Sequence, residues 1–175
     1  NDMERRICPF TPRGEVAAIA SKSQAHRALV CAALADRPTR MILRGFSRDI
    51  QSTVDCLTAL GAKVTQTHDG LWITPIGKPA ADALLDCGES GTTLRFMLPL
   101  AGALGNGARL VGHGRLPQRP IGELAQQLRE HGCNVDGLTV SGRLTGGEYA
   151  LRGDVSSQFI SALLLALPRT GEESV

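Results

Sequence analysis

The segment "CGESGTTLRF", residues 87–96, puts glycine, serine and threonine directly before the apolar run "LRFMLPLAGALG". This order predicts a helix that begins within the polar residues, with Ser90 or Thr92 as its N-cap. The first N–H groups of a helix lack partners within it, and the helix dipole places about +0.5 charge there. Gly91 would also let a ligand approach the backbone. An ordinary cap and an anion site are both open, and this segment alone favours the cap.

Two other segments repeat the pattern of small hydroxyl residues followed by an apolar helix. They are "SKSQAHRALVCAALA", which begins at Ser21, and "SSQFISALLLALP", which begins at Ser156. Their starts lie 69 residues before and 66 residues after Ser90. The three helices are apolar nearly all round, so we predict that they are buried.

A second kind of segment alternates with these helices. "RDIQSTVDCLTALGAKV" and "RPIGELAQQLREHGCNV" are amphipathic, and their helices should end at Gly61 and Gly132. The runs "RMILRGF" and "ARLVGHG" predict strands, "KVTQTHDGLWITPI" predicts a hairpin turning at Asp69-Gly70, and "NVDGLTVSGRLTGGEYALRG" predicts its equivalent. The period of about 68 residues is too long for a solenoid repeat and indicates a pseudo-symmetric α/β fold.

Repetition changes the weight of the two interpretations. If three such units close about a pseudo-threefold axis, their helices lie inside a surrounding sheet and their hydroxyl-rich ends meet. Three weak capping signals then become one shared anion pocket. The third unit should continue with a second helix near residue 185 (one period on), beyond the final Val175.

Composition limits the possible functions. A net charge of +2, three lysines and few aromatic residues argue against nucleic-acid binding. The longest apolar run, residues 159–168, is too short to span a membrane. The five cysteines form no CxxC pair, which argues against zinc and disulfides and favours reduced thiols in the cytoplasm. The opening residues also lack the apolar core of a signal peptide, so we expect a cytoplasmic protein.

The first hydroxyl-rich segment carries two cations. Lys22 stands at the predicted helix start, and Ser23 and Arg27 are four residues apart, so they share a helix face. Positive charges at the positive end of a helix are unfavourable unless an anion is present. We therefore favour an anion site over two solvated surface charges.

Arg95 and Arg119 are the candidate cations near the second segment. Arg95 lies four residues beyond Gly91 and either reaches an anion held there or pairs with Glu89. Arg119 precedes Pro120, which is expected at a helix start and would hold Arg119 in a rigid turn.

The third segment offers neutral donors in Ser156, Ser157 and Gln158, with Asp154 as a further possible cap. No catalytic dyad is visible, and Cys87 ends an apolar run, so a buried thiol is favoured over a nucleophile. His113 is left open as functional or exposed. The carboxylates with the character of surface or capping residues are Asp36, Asp49, Asp55, Asp82 and Glu123.

Four segments together resemble the EPSP synthase (3-phosphoshikimate 1-carboxyvinyltransferase) family of enolpyruvyl transferases. They are "SKSQAHRALVCAALA", "DCGESGTTLRF", "LPQRPIGELAQQL" and "GDVSSQFISALLLALP", in the family's order and spacing. The resemblance implies an α/β fold of two lobes, each an inside-out α/β barrel of repeated βαβαββ units with buried apolar helices surrounded by sheet. Residues 1–13 would be a strand segment of a C-terminal lobe. Residues 14–175 would be the N-terminal enolpyruvyl transferase lobe, truncated in its third repeat after about two and a third units.

The resemblance also implies a reaction, in which an enolpyruvyl group passes from phosphoenolpyruvate to the 5-hydroxyl of shikimate 3-phosphate without a metal or organic cofactor. The residues implied to bind shikimate 3-phosphate are Lys22, Ser23, Arg27, Ser156, Ser157 and Gln158. Those implied to bind phosphoenolpyruvate are Lys22, Gly91, Arg119 and Gln158, supported by Thr92 and Arg95.

The acid and base groups of the family belong to the C-terminal lobe, so no catalytic residue is expected here and the chain alone is predicted to be inactive. Two alternatives remain: a UDP-N-acetylglucosamine enolpyruvyl transferase and a non-catalytic anion-binding module of the same fold. The first usually carries a reactive cysteine in the loop that here reads "GHGRLPQRP", which has none. Glu89 and Phe96 stand where the family often has Asn and Pro, which leaves open the response to glyphosate, a family inhibitor.

Overall fold

The chain forms two small sheets and a set of helices packed between them. The computed structural model describes residue 6 and residues 8–175. The described helices and strands follow one another in this order: α1 Lys22–Leu34, β1 Thr39–Ile42, α2 Arg48–Ala59, β2 Lys63–Thr67, β3 Gly70–Thr74, β4 Ala83–Asp86, α3 Gly91–Leu104, β5 Ala108–Val111, a 3-10 turn Leu116–Gln118, α4 Gly122–Glu130, β6 Cys133–Asp136, β7 Thr139–Gly142, α5 Ser157–Ala166, and a 3-10 turn Leu167–Arg169.

The two sheets have related strand orders. The first runs β1-β3-β2 and the second runs β4-β5-β7-β6. In each, a hairpin adds its second strand antiparallel to the strand that follows an apolar helix, β1 in one sheet and β5 in the other. The second sheet has one more strand, because β4 pairs in parallel with β5. Both sheets are open, so the described residues form a mixed α/β fold without a closed barrel.

The first hairpin turns one residue earlier than the sequence predicts. Thr67 pairs with Gly70, so the two turn residues are His68 and Asp69, not Asp69 and Gly70. Gly70 lies in the strand because a β-carbon there would collide with the Met41 carbonyl of β1. The glycine thus serves a close approach of strands.

Helix α3 is the centre of the fold. Ser90 is its N-cap and accepts a hydrogen bond from the Thr93 N–H at 3.2 Å. All of its residues are buried except Thr92, Arg95 and Leu104. The predicted buried helix is thus confirmed for α3.

Helix α5 is less enclosed than predicted. It packs chiefly on α3, but Ile160 and Leu164 on its other face are 41% and 68% exposed. The prediction of burial all round is wrong for that face, because the elements that contact α5 most are α3, the following 3-10 turn and α1. No helix among the described residues has the length and apolar character needed to cross a membrane.

The segment before α1 is extended and exposed. Residues 8–20 form neither helix nor strand, and the backbone of Ala20 donates to the Arg44 carbonyl at 3.0 Å. Of the predicted strand segment 1–13, residues 1–5 and 7 lie outside the described residues. Its assignment to another lobe stays a prediction.

Candidate functional site

Two guanidinium groups lie over the first turn of α3. A β-carbon built on Gly91 would be 2.6 Å from Arg119 Nη1 and 3.5 Å from Arg95 Nη1. Arg95 comes from one turn further along the same helix, and Arg119 directly follows the 3-10 turn that leads to α4. The structure therefore brings together three residues that are far apart in the loop and helix sequence, and it does so at the positive end of a helix dipole.

These two cations have no carboxylate partner among the described residues. The pairing of Arg95 with Glu89 that the sequence left open is not formed, and Glu89 makes no ion pair with Arg119. Burial and then the charge of Arg119 lower the pKa of Arg95. The Nε of Arg95 is buried and has no hydrogen-bond partner in the described part of the chain. A guanidinium in this state has donors left for an anion.

Helix α5 contributes Gln158 to the same place. The Gln158 side chain accepts from Arg95 Nη1 at 2.5 Å and donates through Nε2 to the Thr92 hydroxyl at 2.9 Å. Gln158 therefore joins α3 to α5 and sets the direction of Arg95. The Cζ of Arg95 also lies 5.4 Å from the centre of the Phe159 ring, within the range of a cation–π contact.

Ser156 and Ser157 open α5. Ser156 is the N-cap, since its hydroxyl accepts from the Gln158 N–H at 3.2 Å, and Ser157 is exposed at the first helical position. Asp154 forms an ion pair with Arg152 and does not cap the helix. The possible cap by Asp154 is therefore wrong, because Ser156 is nearer the first turn and fills that role.

Arg27 connects α1 to the two other apolar helices. Its guanidinium donates to the Ser23 carbonyl at 2.8 Å and to the Ser161 hydroxyl of α5 at 2.7 Å. Its Cζ lies 5.4 Å from the centre of the Phe96 ring of α3. Ser23 itself is exposed and offers its hydroxyl to solvent.

Lys22 has a partner that the sequence did not reveal. Its ammonium group lies 2.6 Å from a carboxylate oxygen of Asp49, which is in the first turn of α2. The sequence analysis assigned Asp49 to surface or capping residues. An acidic residue just after the N-cap Ser47 is the usual complement to a helix dipole, so no local signal distinguishes it. The ion pair also means that Lys22 does not need an external anion to be neutralised.

An acid–base pair lies beside the glycine loop that precedes α3. His113 Nε2 is 3.0 Å from both carboxylate oxygens of Asp86, and the Gly88 N–H donates to the same carboxylate at 2.9 Å. The hydrogen bond to His113 and then that from Gly88 lower the pKa of Asp86, and the bond to Asp86 raises the pKa of His113. Both side chains are exposed, so they line the rim.

The thiols and possible metal ligands show no reactive cluster. Cys87 is fully buried, which confirms the prediction of a buried thiol. The described residues contain no group of three or more His, Cys, Asp or Glu side chains that could hold a metal ion.

The fold is similar to that of known enolpyruvyl transferases. An EPSP synthase structure from Acinetobacter baumannii aligns with a TM-score of 0.71 and 23% identity, covering 87% of this chain and 37% of that protein. An enolpyruvyl transferase structure from Streptomyces tendae aligns with a TM-score of 0.54 and 19% identity, covering 86% of this chain and 37% of that one. At these identities the comparison defines the fold alone.

Sequence relatives narrow the class to one family. The 3-phosphoshikimate 1-carboxyvinyltransferase of Clostridium beijerinckii is 38% identical, over 93% of this chain and 41% of the relative. That of Clostridium perfringens strain SM101 is 37% identical, over 96% of this chain and 42% of the relative. The family model for EPSP synthase (3-phosphoshikimate 1-carboxyvinyltransferase) matches residues 11–175. The chain therefore belongs to the EPSP synthase family, and it spans about two fifths of the length of these curated relatives.

Proposed function

We propose that this chain forms the N-terminal lobe of an enzyme that transfers the enolpyruvyl group of phosphoenolpyruvate to the 5-hydroxyl of shikimate 3-phosphate. In the proposed reaction the hydroxyl oxygen adds to the central carbon of phosphoenolpyruvate while its methylene carbon is protonated. Loss of phosphate and of one methyl proton then restores the double bond. Family membership supports the reaction type, and the arginines at the start of α3 support a role in holding its anions.

The observation that carries the proposal is the pair Arg95 and Arg119 over Gly91. Two guanidinium groups and the unpaired N–H groups of a helix start point to one small volume without a carboxylate. Bringing like charges together costs free energy that a bound phosphate or carboxylate would offset. Preorganised donors of this kind also stabilise charge that develops during group transfer.

The substrates are assigned to residues as follows. Shikimate 3-phosphate would contact α1 and α5 and phosphoenolpyruvate would lie at the start of α3, with Gln158 between them, as its bonds to Arg95 and Thr92 suggest. The proposed shikimate 3-phosphate ligands are Lys22, Ser23, Arg27, Ser156, Ser157 and Gln158. The proposed phosphoenolpyruvate ligands are Lys22, Gly91, Arg119 and Gln158, with Thr92 and Arg95 in support.

The proposed architecture is an inside-out α/β barrel of βαβαββ units, with residues 14–175 as the lobe and residues 1–13 as a strand of a C-terminal lobe. The related strand orders of the two sheets and the buried α3 support it. The C-terminal lobe is the proposed partner and would supply the acid and base groups. No metal or organic cofactor takes part in the proposal. The five free cysteines favour the cytoplasm as the compartment.

Titration calorimetry with shikimate 3-phosphate tests the first half of the site. We expect saturable binding that Arg27→Ala and Ser157→Ala each weaken about tenfold or more, because each removes a hydrogen bond to a charged group. Arg37→Ala, at the exposed end of α1, is the matched control and should bind like the wild type. No binding, or equal binding by the Arg27 and Arg37 variants, would contradict the assignment.

A second titration tests the phosphoenolpyruvate half and the choice of family member. In the presence of shikimate 3-phosphate, Arg119→Ala should weaken phosphoenolpyruvate binding, whereas Arg115→Ala in the same loop should not. UDP-N-acetylglucosamine should show no binding. A phosphate-release assay with both substrates should detect no turnover by the chain alone, and steady turnover would refute its proposed dependence on a second lobe.

A further inference from the structure

A line of hydrogen bonds runs beneath the candidate site through three helices. His26 Nδ1 of α1 lies 2.7 Å from the Thr53 hydroxyl of α2, and that hydroxyl lies 2.7 Å from the Thr93 hydroxyl of α3. The Thr93 hydroxyl donates to the Ser90 hydroxyl at 2.8 Å. All four residues are 2% exposed or less. Buried polar groups carry a large cost unless they are paired, so this line is a specific arrangement and not a surface accident.

The line lies one helical turn below the ion pair at the site. Lys22 and His26 are four residues apart on α1, and Asp49 and Thr53 are four residues apart on α2. Residues four apart share a helix face, so α1 and α2 meet through two successive contacts, the outer one ionic and the inner one a buried hydrogen bond. The inner contact continues through Thr93 to the first turn of α3, where the two guanidinium groups lie.

Hydrogen counting gives the line a direction. The Thr93 hydroxyl has one hydrogen, which goes to Ser90 Oγ or to the nearby Asp49 carbonyl at 3.4 Å, a group that only accepts. Thr53 must then donate its own hydrogen to Thr93, and its oxygen is free to accept from His26. This requires the hydrogen of a neutral His26 ring to be on Nδ1.

We propose that His26 is a positioning residue, a neutral Nδ1–H donor that starts a one-way hydrogen-bond line through Thr53 and Thr93 to the cap Ser90 and so sets the relative positions of the α1, α2 and α3 starts. His26 touches no substrate in this arrangement and acts through the helices that carry the anion ligands. The link to substrate binding rests on the proposed function, whereas the tautomer and the hydrogen-bond order do not.

The charges around His26 agree with a neutral ring. Burial lowers the pKa of His26, and the cations Lys22 and Arg27 on its own helix act in the same direction. Asp49 from α2 acts in the opposite direction but is bound to Lys22. A base with a lowered pKa takes up its proton more readily in the unfolded chain, so stability should be complete above about pH 6.5 and fall below it.

The test compares Thr53→Val, which keeps the shape and removes the hydroxyl, with Thr53→Ser, which restores the hydroxyl. Thr58→Val is the matched control, because Thr58 is exposed on the same helix and bonds only within it. Long-range proton–nitrogen NMR spectra report the His26 tautomer, hydrogen exchange reports the Thr93 amide, and calorimetry reports shikimate 3-phosphate affinity.

We expect the Nδ1–H tautomer in the wild type. In Thr53→Val, Thr93 amide exchange should be about tenfold faster and affinity about tenfold weaker, with both near wild-type values in Thr53→Ser and Thr58→Val. An Nε2–H tautomer would overturn the proposal, as would a Thr53→Val protein that matches Thr58→Val in exchange and affinity. If the wild type does not bind the ligand, the proposed function fails, and the tautomer and the exchange rates alone decide whether the positioning line exists.

Discussion

The starts of α1 and α3 share a sequence pattern but differ in charge. At α3, Ser90 caps the helix and two arginines lie over Gly91 without a carboxylate. At α1, Ser21 makes no capping bond through its side chain, and Lys22 is paired with Asp49. The pattern therefore specifies where a helix begins, whereas the neighbouring segment decides whether an anion is needed.

The neighbouring segments show how this difference arises. The two amphipathic segments begin "RDI" at residues 48–50 and "RPI" at residues 119–121, each ending in a glycine 13 residues after its arginine. In this alignment the position of Asp49 is taken by Pro120. The first unit thus has a carboxylate that neutralises its lysine, and the second unit has none for its arginines. We infer that the α3 end is the preassembled anion site and that a ligand at the α1 end must compete with Asp49.

The largest expected effect is on the packing that joins the two helix starts. Phe96 is 1% exposed, and Arg27 lies over its ring. Phe96→Ala should lower the free energy of unfolding by about 3–5 kcal/mol through loss of buried surface and a remaining cavity. Urea denaturation measures the change, with Phe46→Ala as the control, because Phe46 is 39% exposed. A loss below about 1 kcal/mol would show that the α1–α3 contact is not packed as described.

The next effect falls on the α3 end alone. In Gly91→Ala the new β-carbon would be 2.6 Å from Arg119 Nη1, so the guanidinium must move away. We expect phosphoenolpyruvate affinity to fall roughly tenfold to a hundredfold, the range for loss of a hydrogen bond to a charged group. Gly122→Ala is the control, since Gly122 also begins a helix but has no atoms within 4 Å of its β-carbon position. Equal affinity in both variants would remove Arg119 from the site.

Much of the fold was predictable from local patterns. The start of α3 at Gly91, the ends of α2 and α4 before Gly61 and Gly132, and the strands around them follow from capping residues and hydrophobic periodicity. The register of the first hairpin was off by one residue because Gly70 answers to the packing of β1 and not to the turn. Exposure of one face of α5 was missed, since apolarity predicts a preference for burial but not the presence of a covering element.

The candidate site was only partly predictable. The cations could be named because arginine at a helix start is unfavourable without an anion, and Arg95 and Arg119 do meet at Gly91. The partner of Lys22 could not be named, because Asp49 has the sequence context of an ordinary first-turn acid. The buried hydroxyl line was also invisible, since single threonines inside amphipathic helices carry no periodic signal.

A smaller effect should sharpen the comparison at the α1 end. Asp49→Asn removes the competitor for Lys22, so shikimate 3-phosphate affinity should rise by up to about fivefold, the range for an exposed ion pair. Asp55→Asn is the control on the same helix, because Asp55 accepts only from Gln51 and is exposed. Calorimetry measures both variants at one ionic strength. Weaker binding in Asp49→Asn than in the control would mean that Asp49 positions Lys22 for the ligand instead of competing with it.

The smallest effect concerns the rim, where the second unit again has charges that the first lacks. The pKa of His113 is raised by Asp86, so its contribution to stability is complete below about pH 6.5 and is lost as the pH rises through the folded-state value. The pKa of Asp86 is lowered, so its contribution is present above its ordinary value of 3.8 and is lost as the pH falls through the folded-state value. The pair should therefore be at full strength between about pH 4 and pH 6.5. NMR titration of His113 in the wild type and in Asp86→Asn tests this directly, because the pKa of His113 should fall toward its ordinary value in the variant. An unchanged pKa would mean that the pair is not held in solution and that the loop before α3 depends on the Gly88 backbone for its shape.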